Sequence, residues 1–169
     1  LNESSAVPDL SFILIPTGIT IDYGLHLRKT VNLREDIWKE YYEKLIGQTS
    51  ATILPVLLHP KSVGKIQLKS KNFNDPLIID PNYLDVKDDV DKLISGIRII
   101  QKLLETLPMK QFNAELIPKA FPGCEGHVYD SNEYWECYIR QMTFTMYHPV
   151  STCKCGDYND SKTVVLKNF

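Results

Sequence analysis

The residue best suited to chemistry in this sequence is His148, in the run Tyr147-His148-Pro149-Val150. A neutral imidazole, with an ordinary pKa of about 6.5, can accept the proton of an alcohol near neutral pH and later return it. Pro149 disfavours the helical region for the residue before it, so the sequence predicts an extended segment at His148 that ends the preceding helix. The alternative is an ordinary helix exit with a partly buried histidine that is hydrogen-bonded to a carbonyl.

Cysteine offers two further kinds of chemistry in the last third of the chain. Cys153 and Cys155, with His148 and Asp157, could be imagined around a metal ion. Only one residue separates these cysteines, whereas zinc-binding pairs are usually separated by two to four. We therefore predict no metal site.

Cys124 and Cys137 flank a glycine-containing turn and the predicted start of a helix. A disulfide can close this separation if the two Cβ atoms face each other. The alternative is that both are reduced and act as small buried apolar side chains.

The elements that must position His148 are helices of clear periodicity. Asp130 or Ser131 can cap a helix that runs to about Phe144 and leads to His148. The segment 85–107 has apolar residues at steps of three and four, and its acidic first turns suit the helix dipole. We expect Pro108 to end this helix. Gly96 in its middle suggests close packing against a neighbour, and the alternative is a tolerated surface glycine. A third amphipathic helix is predicted over Asn32–Gly47.

Short apolar runs alternate with these helices and predict strands. Residues 9–16 are expected to form a buried strand in the middle of a sheet. The alternation of Ile66 and Leu68 with lysine and glutamine predicts a strand with one face in water, which favours an antiparallel sheet and an α+β fold. In chain order, the predicted strands lie at 9–16, 49–58, 64–70, 76–84 (brief) and 163–166.

Composition excludes several classes of function. The chain of 169 residues is 43% hydrophobic and 24% charged, and its formal net charge of −2 disfavours nucleic acid and anionic membranes as partners. No apolar run approaches the roughly 20 residues of a transmembrane helix. There is no Gly-x-Gly-x-x-Gly or P-loop motif, so we expect no dinucleotide site within these residues. Candidate glycosylation sites at Asn2 and Asn159 favour a secreted protein.

Several stretches, in this order and spacing, resemble the C-terminal, substrate-binding part of the glucose-methanol-choline (GMC) oxidoreductases, especially the insect glucose dehydrogenase-like branch. The stretches are Leu57-Leu58-His59-Pro60-Lys61-Ser62-Val63-Gly64-Lys65-Ile66-Gln67-Leu68, Pro76-Leu77-Ile78-Ile79-Asp80-Pro81-Asn82-Tyr83-Leu84, Phe121-Pro122-Gly123-Cys124, Asp130-Ser131-Asn132-Glu133-Tyr134-Trp135-Glu136-Cys137-Tyr138-Ile139-Arg140, and Tyr147-His148-Pro149-Val150-Ser151-Thr152-Cys153-Lys154.

The resemblance implies an antiparallel sheet covered by helices and packed against a separate Rossmann domain that binds FAD. It also implies that His148 accepts the hydroxyl proton of an alcohol or sugar while hydride passes to the flavin. Tyr147, Pro149 and Val150 are expected to line the substrate pocket or lie beside the flavin. Ser151 stands where the family usually has glycine.

The same resemblance predicts that residues 1–169 are a partial domain. The flavin-binding domain and a second active-site residue would lie outside them, so we expect no activity from this chain alone. The alternative is a secreted, non-catalytic binding protein derived from the same domain.

Overall fold

The computed structural model of the chain describes residues 7–148 and 153–166. The helices are α1 (Leu27–Thr30), α2 (Glu35–Ile37), α3 (Lys87–Leu104), α4 (Leu107–Gln111) and α5 (Asn132–Met142). The strands are β1 (Leu10–Ile15), β2 (Thr52–Leu57), β3 (Lys65–Gln67), β4 (Ile78–Asp80), β5 (Cys155–Gly156) and β6 (Val165–Leu166). The presence of both helices and antiparallel ladders agrees with the predicted α+β class.

The strands of the described residues form three separate two-stranded ladders instead of one sheet. β1 and β2 are antiparallel, with Leu10 opposite Leu57 and Ile15 opposite Thr52. β3 and β4 are also antiparallel, whereas β5 and β6 are parallel. The prediction of antiparallel pairing is thus confirmed for two of these three ladders, and residues 7–148 and 153–166 do not form a single sheet.

The prediction that β1 is buried in the middle of a sheet is wrong for this chain. Within the described residues β1 pairs with β2 alone, and five of its six residues are exposed. Likewise Ile66 and Leu68, the apolar positions of the alternating strand, are 50% and 78% exposed. The alternation predicted the apolar face of β3, but no other described element covers that face.

Helix α3 is the centre of the core, as its periodicity predicts. Its Val90, Leu93, Ile94 and Ile97 side chains are buried in one cluster with residues of α5. The expected close contact at Gly96 is present, because a Cβ atom there would lie 3.1 Å from Leu10 Cδ1 and 3.1 Å from Pro55 Cβ. The absence of a side chain at this position lets the β1–β2 ladder pack directly on α3.

The end of α3 differs from the prediction. The helix stops at Leu104, and Pro108 lies in the first turn of α4. Proline fits there because the first amides of a helix have no partner inside the helix. Pro108 therefore begins a short helix instead of ending the long one.

The helix predicted over Asn32–Gly47 is found from Glu35 to Leu45. It begins as α2, widens into a π-helical turn at Trp38–Tyr42 and tightens into a 3₁₀ turn at Glu43–Leu45. Trp38, Tyr41 and Tyr42 are buried in the core. Burial raises the pKa of both tyrosines, so they remain neutral packing residues.

Candidate functional site

The site begins with the helix that leads to His148. Ser131, and not Asp130, caps α5: its hydroxyl accepts a hydrogen bond from the Tyr134 amide at 3.1 Å. The side chains of Tyr134 and Trp135 are buried and form part of the core. The N-terminus of α5 is therefore fixed both by its cap and by packing.

Asp130 has a different role, which is to join α5 to α3. Its Oδ1 accepts hydrogen bonds from Gln101 Nε2 at 2.6 Å, from Trp135 Nε1 at 2.7 Å and from Arg98 Nη1 at 2.5 Å. Partial burial opposes ionisation, but these hydrogen bonds outweigh it and hold the pKa of Asp130 below its usual value. Asp130 also adopts a left-handed backbone, with φ of 68°. An ionised Asp130 thus fixes the orientation of α5.

A disulfide joins the loop before α5 to the helix itself. The structure pairs Cys124 with Cys137, with their Cα atoms 5.8 Å apart. This is the pairing hypothesised from the sequence. Cys124 is fully buried, whereas Cys153 and Cys155 are unpaired and exposed.

The chain leaves α5 at Met142, and Thr143 already has an extended backbone with φ of −71° and ψ of 129°. Residues 143–146 have no helical structure, so the helix ends ahead of His148, as expected. His148 is exposed. Its exposure argues against the alternative of a partly buried histidine in a helix exit.

Tyr147, the residue before His148, has an unusual backbone conformation. Its backbone is left-handed, with φ of 60°, a conformation that residues other than glycine rarely adopt. The Tyr147 amide donates to Thr145 Oγ1 at 3.0 Å, and its phenol donates to the Thr30 carbonyl at 2.5 Å. Although its side chain is 61% exposed, Tyr147 is held at both its backbone and its hydroxyl.

The segment that receives this phenol was not identified as part of the site from the sequence. The Asp22 carboxylate accepts hydrogen bonds from the amides of Gly24 at 3.0 Å, His26 at 2.7 Å and Leu27 at 2.7 Å. The hydrogen bond from Leu27 and those from the other two amides lower the pKa of Asp22. This carboxylate orders the turn that leads into α1. A local signal existed in the Asp-x-Gly pattern, which is typical of such turns.

The same segment packs on Trp38. Gly24 has φ of 76°, and a Cβ atom there would lie 2.5 Å from the Trp38 ring. The Arg28 guanidinium lies over that ring, 5.3 Å from its centre, and its Nε donates to the Gly24 carbonyl at 2.7 Å. The segment that contacts Tyr147 is thereby attached to the core.

Other predicted site residues are placed as follows. Pro149, Val150, Ser151 and Asn2 lie outside the described residues. Asn159 is exposed. In the described part of the chain no group of three or more histidine, cysteine or acidic residues is arranged to hold a metal ion, and no helix is long and apolar enough to cross a bilayer. The absence of a metal site in the protein stays a prediction.

The arrangement presents an imidazole at the surface, next to a tyrosine whose hydroxyl is already engaged as a donor. Such an imidazole can accept a proton from a molecule placed against it. The exposed side chains of Ile21, Tyr23 and Leu25, in the segment that contacts Tyr147, add apolar surface suited to a partly apolar ligand or ring system.

Comparison with known proteins gives this site its context. Residues 60–169 match the family model described as GMC oxidoreductase, C-terminal part. The chain is 39% identical over 116 residues to glucose dehydrogenase [FAD, quinone] of Drosophila melanogaster. This match covers 69% of the chain and 19% of that protein. It is 39% identical over 100 residues to alcohol dehydrogenase [acceptor] of Pseudomonas putida, covering 59% of the chain and 17% of that protein.

A third relative, mitochondrial choline dehydrogenase of Mus musculus, is 28% identical over 158 residues, covering 94% of the chain and 22% of that protein. The chain thus spans about a fifth of the length of the curated relatives it matches. His148 and Tyr147 lie inside the matched region. The chain belongs to the GMC oxidoreductase family.

Proposed function

We propose that this chain is the substrate-binding part of an FAD-dependent oxidoreductase that acts on CH–OH donors, either alcohols or sugars, and that His148 is its proton acceptor. The family membership and the names of the relatives, which are glucose, alcohol and choline dehydrogenases, support the reaction class. The observation that carries the assignment of His148 is its exposure directly after the anchored, left-handed Tyr147.

The residues present are compatible with a flavin held by another segment. His148 and Tyr147 are exposed, and so are Ile21 and Leu25, which suits a flat aromatic ring system carried from elsewhere. FAD, when bound, supplies the acceptor for the hydride. The chain's own contribution is to place the hydroxyl of the donor against His148 and to remove its proton.

The proton transfer requires a neutral imidazole within hydrogen-bond reach of the donor hydroxyl. Proton removal strengthens the tendency of the adjacent carbon to release hydride, so the two losses together oxidise the alcohol to a carbonyl. His148 would hold the proton until it passes to solvent.

The test is the complete protein that contains these residues, produced with and without His148→Asn. We expect bound flavin in both proteins and a kcat about 10²- to 10⁴-fold lower in the variant, measured by dye-linked oxidation of a panel of alcohols and sugars. His127→Asn is the matched control, since His127 is another exposed histidine and lies outside the proposed site. Full activity of His148→Asn would refute the assignment.

Residues 1–169 produced alone are expected to bind no flavin and to oxidise no donor. Turnover by this chain alone would contradict the proposal. If the complete protein does not bind flavin and shows no turnover, the alternative of a secreted, non-catalytic binding protein is favoured.

The protein is further proposed to be secreted or extracellular. The Cys124–Cys137 disulfide supports an oxidising compartment, and the exposed Asn159 is accessible for glycosylation. Treatment of the protein from its native source with an N-glycosidase should lower its mass. The Asn159→Gln protein should show a smaller decrease, and an unchanged mass would contradict glycosylation.

A further inference from the structure

Tyr147 connects the proposed proton acceptor to a distant part of the chain. Its phenol contacts Thr30, which is 117 positions away in the sequence. Thr30 is the last residue of α1, and the final carbonyls of a helix have no partner inside the helix. The Tyr147 hydroxyl therefore supplies a donor to a carbonyl that would otherwise need water.

The receiving carbonyl is itself well fixed. The Thr30 amide donates to the His26 carbonyl at 2.9 Å, and the Asp22 carboxylate accepts from the amides of His26 and Leu27 at 2.7 Å each. A series of hydrogen bonds thus leads from Asp22 through α1 to Tyr147. His148 follows Tyr147 directly, so the backbone conformation of Tyr147 sets the direction from which the His148 side chain leaves the chain.

Two hydrogen bonds maintain the unusual backbone of Tyr147. The amide is engaged by Thr145 Oγ1 at 3.0 Å and the phenol by Thr30 at 2.5 Å, while φ is 60°. Residues other than glycine in this region persist where the surroundings determine them, and such residues are frequent at functional sites. If either hydrogen bond is removed, the backbone is free to relax and the imidazole moves with it.

We infer that Tyr147 is a positioning residue, which through its hydrogen bond to Thr30 sets the approach of the His148 imidazole to the donor hydroxyl. This inference rests on the proposed role of His148. It differs from the expectation that Tyr147 serves as a wall of the substrate pocket, because its hydroxyl is engaged by the protein's own backbone.

The test uses the complete flavin-containing protein and the variant Tyr147→Phe. We expect kcat to fall about tenfold, since the loss of one hydrogen bond lets a reacting group shift, and KM to stay within about twofold. Tyr129→Phe is the matched control: it removes the same hydroxyl, from a tyrosine that is 44% exposed and donates to Ile117 over 3.4 Å. The control should retain the kinetic constants of the unaltered protein.

A second variant, Thr145→Val, keeps the shape of the side chain and removes the acceptor for the Tyr147 amide. It should lower kcat in the same direction as Tyr147→Phe. In both variants, hydrogen exchange of the peptide covering residues 143–148 should become faster, which is a measurement independent of activity. Unchanged exchange in both variants would overturn the inference.

A double-mutant comparison separates positioning from direct contact. If Tyr147 acts through His148, then Tyr147→Phe should cause no further loss in the His148→Asn protein. A similar loss in both backgrounds, or a rise in KM without a change in kcat, would mean that Tyr147 contacts the substrate and would overturn the inference. Failure of the proposed role of His148 can be distinguished from failure of the inference about Tyr147, because in the first case His148→Asn itself would leave activity unchanged.

Discussion

The buried carboxylate of Asp89 offers a sharp test of how the loop between β2 and β3, at Lys61 and Ser62, is held. Asp89 is 1% exposed. It accepts hydrogen bonds from the Lys61 amide at 2.8 Å, the Ser62 amide at 2.8 Å and the Ser62 hydroxyl at 2.5 Å. The Ser62 hydroxyl in turn accepts from the Val86 amide at 3.0 Å, so one carboxylate connects this loop to the start of α3.

The substitution Asp89→Asn keeps the size of the side chain but removes the charge and one acceptor oxygen. The new amide nitrogen would face donors from Ser62, so at least one buried donor would lose its partner. A hydrogen bond to a charged group contributes about 1.5–3 kcal/mol and a buried unsatisfied donor costs about 1–3 kcal/mol, so we expect a loss of about 3 kcal/mol. Such a loss corresponds to about a hundredfold faster exchange of the protected amides.

The dependence on pH follows from the direction of the pKa shift. Burial opposes ionisation of Asp89, but the hydrogen bonds from Lys61 and Ser62 outweigh it and lower its pKa. A carboxyl whose pKa is lower in the folded state stabilises that state fully above its ordinary pKa of about 3.9 and loses this contribution as the pH falls through the folded value. The difference in stability between the unaltered protein and Asp89→Asn should therefore shrink below about pH 4.

The assay is hydrogen exchange of the Lys61 and Ser62 amides, together with the thermal midpoint, at pH 7 and in acid. Asp91→Asn is the matched control, because Asp91 lies on the same helix and pairs with Lys87 at 3.0 Å on the exposed surface. The control should leave exchange at Lys61 and Ser62 unchanged. Equal effects of the two substitutions, or no effect of Asp89→Asn, would refute the conclusion that the Asp89 carboxylate holds this loop in place.

Two further predictions concern Gly24 and the disulfide. In denaturant unfolding, Gly24→Ala should destabilise the protein by about 2 kcal/mol more than Gly47→Ala. Both glycines have positive φ, but only a Cβ atom at position 24 would lie against Trp38. Equal losses of stability would contradict this packing. Thiol titration of the unfolded, unreduced protein should find two of the four cysteines free, and replacing both Cys124 and Cys137 by serine should cost about 3 kcal/mol; four free thiols would contradict the disulfide.

The parts of the fold that depend on local patterns were predictable from the sequence. Helix α3 could be identified because its apolar residues repeat with the helical period, and α5 because Ser131 caps it. The contact at Gly96 was predictable because glycine inside a helix is unfavourable without a packing reason. In each case the deciding residues lie within one helix or next to it.

The parts that depend on distant residues were not predictable. The sequence shows Asp89 only as one of several acidic residues at a helix start, whereas the fold brings the amides of Lys61 and Ser62 onto its carboxylate. No pattern in the sequence connects Tyr147 to Thr30. His148 could be proposed because its residue type and the proline after it are local, but the contact that we infer to orient it joins residues far apart in the sequence.

The β3–β4 ladder has an apolar face that the other described residues do not bury. Ile66 and Ile79 are directly opposed in the β3–β4 ladder, so their side chains share one face, and both are at least half exposed. Exposed clustered apolar residues are unfavourable in water and usually mark a surface that another element covers. In contrast, the helices α3 and α5 bury most of their apolar residues in the core of this chain. The exposed face of the β3–β4 ladder therefore has the apolar pattern of a surface that another element covers, and the described residues do not supply that element.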